Sequence, residues 1–214
     1  MMVAADSGYN SIDDMEGAVV CVVAGTTTEG NVATEFAARD MTVEVLSFAD
    51  IPLVQEAFLA GQCDGWSSDG SQLASIRTNF PEGPDSLVIF PDVFSKEPLT
   101  PAVIDGDTPW AQAVEWTILA TIQAEELGIT SETVEADAAG DDAAKVFFLT
   151  GASADGTVFD PGLGLPPDFA SQIVSQVGNY GEIFERNLGP IGIEDRGLNA
   201  LWSDGGLQYA PPYR

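Results

Sequence analysis

Residues 18–40, AVVCVVAGTTTEGNVATEFAARD, decide the fold class of this chain. The opening seven residues, 18–24, are a continuous apolar run of strand length, as in a strand buried on both faces. The closing ten, 31–40, put Val32, Phe36 and Ala37 on one stripe at helical spacing. Between them lies GTTTEG (25–30), a glycine and three hydroxyls at a strand-to-helix junction.

The same alternation continues outward. TVEVLSF (42–48) reads as a strand, IPLVQEAFLAG (51–61) as a helix closed by glycine, and CDGWSS (63–68) as a strand. SQLASIRTNF (71–80) then reads as a helix and DSLVIFP (85–91) as a strand. Strand and helix in this order predict an open α/β sheet, parallel by its pattern. The prolines of KEPLTPAVIDGD (96–107) exclude a helix interior there. PWAQAVEWTILATIQAEEL (109–127) predicts the longest helix, with Pro109 in its first turn and Gly128 at its end. Residues 131–164 are acidic and rich in Gly, Ala and Ser, and predict a mobile connection with one short helix. From Pro167 the pattern is helical with a break near Gly178 to Gly181, and the tail from Arg196 is irregular and aromatic.

Composition removes several functions. The 214 residues carry 34 Asp and Glu against 7 Lys and Arg, a formal charge of −27, which repels nucleic acid and anionic membranes. Such a charge fits a saline medium, where screening acts over ~3 Å at molar salt. There is no histidine, so Ser/His/Asp triads, Cys/His pairs and histidine zinc sites are absent. The two cysteines, Cys21 and Cys63, form no C-x-x-C pair and leave two alternatives, a disulfide or two buried thiols. No apolar run reaches the ~18 residues of a membrane span, and MMVAADSGYNSIDD, without a basic start or a long apolar run, is not expected to act as an export signal.

Two strand ends carry the candidate chemistry. At Gly25, Thr26 and Thr27, free backbone N–H groups, hydroxyls and the positive end of a helix dipole suit a carboxylate or phosphate. The local alternative is a capping box, Thr26 with Glu29, and the two readings are compatible. At CDGWSSDG (63–70), Ser68 and Asp69 fall on the same sheet edge, where open α/β sheets bind ligands, and Asp69 suits an ammonium group. Its local alternative is the cap of the following helix. Asp64 and Asp85 read as solvated turn residues, and DGD (105–107) as a turn and helix start. One anion-receiving and one cation-receiving strand end on one edge match a zwitterion such as an α-amino acid.

VCVVAGTTTEGN, GQCDGWSSDGSQL, SKEPLTPAVIDGD, VEWTILATIQAEELGIT, VGNYGEIFERNLG and RGLNALWSDGGLQYAPPYR together resemble the periplasmic substrate-binding subunits of general L-amino-acid ABC importers, of the type II periplasmic-binding-protein fold. The resemblance spans nearly the whole chain except 131–164. It implies an α/β fold of two lobes with a mixed sheet flanked by helices: residues 1–14 as a first crossing between lobes, 15–95 as the second lobe, 96–107 as the return crossing, and 108–214 as a helical part packing on the first lobe. It implies that Thr26 and Thr27 hold the ligand's α-carboxylate, that Asp69 pairs with its α-ammonium, and that Cys21 and Cys63 lie side by side, bridged or as thiols. The implied partners are an L-amino acid and a membrane permease, with no cofactor, no metal, no enzymatic activity and a periplasmic location for the intact protein.

The family's signal peptide and most of its first lobe, with the arginine that grips the carboxylate, have no counterpart here; Arg39 and Arg77 are not substitutes. The chain is therefore expected to be an N-terminally truncated member, with weakened affinity and with Trp116 and Ile118 exposed on a partly disordered or oligomerising helical part. The rival readings are an inert fragment and a dehydratase-like enzyme of this fold using Asp64, Asp69 and the Ser67/Ser68 pair.

Overall fold

The computed structural model describes residues 1–160 and 162–213, in two compact units, Met1–Leu99 and Thr100–Arg214. Unit 1 is an α/β sandwich around five strands: β1 (Met2–Ala4), β2 (Ala18–Val23), β3 (Val43–Phe48), β4 (Gly65–Trp66) and β5 (Leu87–Ile89). Their order is β3-β2-β4-β1-β5. β2 pairs in parallel with both β3 and β4, while β1 runs antiparallel between β4 and β5. The sheet is therefore mixed, not purely parallel, because residues 2–4 enter it as a strand of opposite sense.

The side-chain period of two divides the core between the faces. Val3, Val20 and Val22 face one side, where Val32 and Phe36 of α1 (Thr27–Ala38) close over them. Met2, Cys21 and Trp66 face the other, under Val54 and Phe58 of α2 (Ile51–Leu59) and Leu73 of α3 (Gly70–Thr78). Covered on both faces, β2 can be apolar throughout. Cys21 and Cys63 are joined as a disulfide within this second layer, their Cα atoms 5.7 Å apart.

Several expectations shift in detail. The first helix begins at Thr27, four residues before the stretch read as helical, so the threonines form its first turn. The strand read at 63–68 is reduced to Gly65–Trp66, and Pro84–Ser86 form a 3-10 turn ahead of β5. Asp64 is no idle turn residue: its Oδ2 accepts the Val19 N–H at 2.8 Å and ties the start of β4 to β2.

Unit 2 is helical: α4 (Thr108–Glu126), α5 (Val134–Ala138), α6 (Ala143–Thr150), α7 (Phe169–Val177) and α8 (Tyr180–Leu188). Two helices occupy the stretch expected to hold one. Asp142 caps α6 by accepting from Ala144 N and Lys145 N, and Phe148 and Leu149 of its apolar island are buried against Ala120 and Ala124 of α4. Of the acidic residues that read as loop, Asp142 is a helix cap and Asp137 of α5 pairs with Lys145, while Asp155 stays in an irregular turn, accepting from Ser153 and Thr157. Asp107 caps α4, accepting from Trp110 N at 3.2 Å, as the turn reading of 105–107 anticipates.

Trp116 and Ile118 are half-buried, against expectation, because the C-terminal tail returns over α4. Tyr213 meets Trp116 and Phe148 edge to face at 5.0 Å each, and its hydroxyl donates to the Trp116 carbonyl. Burial raises the Tyr213 pKa above the usual phenol value. The exposed aromatics of this unit among the described residues are instead Trp110, Phe159, Trp202 and Tyr209. Asn179 caps α8, receiving the Glu182 N–H while its Nδ2 donates to the Ile129 carbonyl. No helix among the described residues is long and apolar enough to cross a membrane.

Candidate functional site

Three helices start where three parallel strands end. β2 leads to α1, β3 to α2 and β4 to α3, so three helix N-termini, with their partial positive charge, converge on one edge of the sheet. A cleft of about 580 Å³ opens there, lined by Thr26, Thr27, Ser68, Asp69, Gln72 and Glu97 among others. It is contiguous with a smaller chamber of about 380 Å³ that shares Thr28, Ser67, Ser68, Asp69 and Glu97. Thr26, Thr27, Ser68 and Asp69, singled out from different strands, thus line one cavity.

Asp69 occupies the N-cap position of α3, yet its side chain makes no capping bond. Its carboxylate is exposed and free of the local role that competed with ligand binding. Asp50, at the equivalent point before α2, differs: it accepts the Leu53 N–H at 3.0 Å and is committed to capping. Ser68 Oγ donates to Gln72 Oε1 across the first turn of α3.

The threonine turn is built otherwise than the capping-box reading supposes. Thr26 Oγ1 donates to the Val23 carbonyl at 2.7 Å, closing the turn, and caps nothing. Glu29 reaches past Thr26: its Oε2 accepts the Gly25 N–H at 3.2 Å and its Oε1 accepts from Ser47 Oγ. These two hydrogen bonds, the one from Ser47 first, hold the Glu29 carboxyl below its ordinary pKa. Gly25 therefore does not line the cleft and has no free N–H for a ligand. Its contribution is its backbone, at φ 71°, where a side chain is strained. What remains for an anion is the first turn of α1, Thr26 to Thr28, with the hydroxyls of Thr27 and Thr28.

Asp64 lies elsewhere, beside Cys63 on a separate cavity, away from the Ser67/Ser68 pair. The trio required by the dehydratase-like rival is not assembled. Arg39 ends α1 and pairs with Glu35, Asp13 and Asp92; neither it nor Arg77, near the end of α3, lines the cleft. Thr28, Gln72 and Glu97 are cleft residues that the sequence did not single out. The spacing from Ser68 to Gln72 could have flagged the second of these; nothing local marked Glu97.

With this geometry in view, the fold can be placed among known ones. A periplasmic binding protein of an ABC transporter from Brucella ovis, solved with glutathione bound, superposes with a TM-score of 0.92 at 40% identity, over all of this chain and 67% of that one. The chain belongs to the periplasmic binding proteins of ABC transporters. Among its relatives, the glutamate/glutamine/aspartate/asparagine-binding protein BztA of Rhodobacter capsulatus is 43% identical over the whole chain. The general L-amino acid-binding periplasmic protein AapJ of Rhizobium johnstonii is 44% identical, again over the whole chain. The putative amino-acid ABC transporter-binding protein YhdW of Escherichia coli K12 is 42% identical over 97% of it. The chain spans 60% to 62% of the length of these curated relatives. No family model matches it.

Proposed function

We propose that this chain carries the amino-acid-recognising surface of a periplasmic solute-binding protein, which delivers L-amino acids to the permease of an ABC importer and performs no chemistry on them. The observation that carries the reading is the common cleft of Thr26, Thr27 and Asp69. An α-carboxylate settles on the first turn of α1, taking N–H groups and threonine hydroxyls at the positive helix end. The α-ammonium, a few ångströms away in any amino acid, meets the uncommitted carboxylate of Asp69. Unit 1 acts as one lobe of a two-lobed protein, with 96–107 as a crossing, and the Cys21–Cys63 disulfide fits an oxidising compartment.

Calorimetric titration of the chain with individual L-amino acids, up to millimolar concentration, tests this. Saturable heat with ligand recovered unchanged is the expected result. Conversion of the ligand contradicts the reading, and so does the absence of heat for every L-amino acid.

A further inference from the structure

Resting on the reading just proposed, we infer that Glu29 and Ser47 are positioning residues for the ligand's α-carboxylate, holding the threonine turn in place without touching the ligand. No residue from Ala24 to Gly30 is buried, so packing does not fix this turn. The core anchors of α1 are Val32 and Phe36, from its second turn onward. Ahead of them the chain depends on hydrogen bonds.

Two of these act before the helix begins. Ala24 N–H donates to the Phe48 carbonyl and Thr26 Oγ1 to the Val23 carbonyl, each at 2.7 Å. Glu29 does something different, because it belongs to the first turn of α1 itself. Its carboxylate accepts the Gly25 N–H at 3.2 Å and the hydroxyl of Ser47, the last residue but one of β3, and so ties the helix start to the turn and to the sheet. Gly25, Glu29 and Ser47 line neither chamber. The donors that do the binding are those of Thr27 and Thr28, whose N–H groups no side chain of the N-cap takes. Hydrogen bonds weaken steeply with misalignment, and donors fixed beforehand spare the cost of ordering them on binding. The charge of Glu29 by itself opposes an anion at this helix end. Its benefit is therefore geometric, and substitution separates the two.

The tightest-binding L-amino acid of the titration above and its α-carboxamide are the probes, since the ratio of their affinities reports on the carboxylate end. A variant that is only less well folded lowers both affinities by one factor and leaves the ratio as it was. E29A, and S47A with the charge of Glu29 kept, are expected to lower the ratio by roughly two- to tenfold, the effect of one hydrogen bond. E29Q removes the charge, but its amide accepts from Gly25 and donates to Ser47, and it is expected to keep the native ratio. A ratio unmoved or raised in either E29A or S47A overturns the inference, as does a fall in E29Q equal to that in E29A. If the native chain binds no L-amino acid, the functional reading itself fails and this inference falls with it.

Discussion

Replacing Asp69 by asparagine separates the ligand role of this residue from its place in the fold. The side chain makes no capping bond, and asparagine is as good an N-cap as aspartate, so D69N leaves the helix start intact. Only the charge offered to the cleft is lost. The carboxylate is exposed, which sets the interaction at the value of a hydrogen bond between charged groups, about 1.5–3 kcal/mol, below that of a fully buried ion pair. At 1.4 kcal/mol per decade this is roughly a 10- to 150-fold loss in affinity for an L-amino acid. Calorimetry gives the affinity and urea unfolding the stability. Equal affinity in D69N and the native chain would refute the assignment of the ammonium to this carboxylate. A large drop in stability would refute the claim that its side chain has no structural role.

Glu29 gives a pH test with a definite sign. Its folded pKa lies below the ordinary 4.5, so its hydrogen bonds to Ser47 and Gly25 contribute stability above that pH and lose it as pH falls through the lowered value. E29Q should therefore be less stable than the native chain at pH 7, with the difference vanishing towards pH 3 in urea titrations. The charge of −27 should make the melting temperature rise between low and molar salt; a flat curve in a calorimetric scan would contradict self-repulsion. N179A removes the cap of α8 and strands the Ile129 carbonyl, at about 1 kcal/mol for the cap and 1–3 for the carbonyl; urea midpoints should report the sum.

The sandwich of unit 1 was legible because its signals are periodic. Val20 and Val22 against Cys21, and Val32 with Phe36, each give a face, and the glycines mark the turns. The antiparallel β1 was not readable in this way. Met2 to Ala4 is too short to show a period, and only pairing with residues 65–66 and 87–89 makes it a strand. In unit 2, α6 was obscured by the acidic residues around it, although Asp142 and Gly151 are the cap and stop of a helix. At the site, residue type pointed to Thr26, Thr27, Ser68 and Asp69, since hydroxyl and carboxylate groups at strand ends have few local uses. Which of those local uses was taken depended on geometry. Glu29 takes the Gly25 N–H and Asp50 spends itself on Leu53, while Asp69 remains uncommitted. Glu97 stayed invisible because its relation to the cleft is tertiary, through Asn31, 66 residues away in sequence.

The central claim is that the two ends of a zwitterion are read at once, by the threonine turn and by Asp69. Titrating the chain with an L-amino acid, its N-acetyl derivative and its α-carboxamide measures each end separately. The account predicts tight binding of the free amino acid alone, with both blocked forms weaker by at least roughly tenfold, the smallest loss expected for one charged hydrogen bond. Equal binding of all three would contradict it.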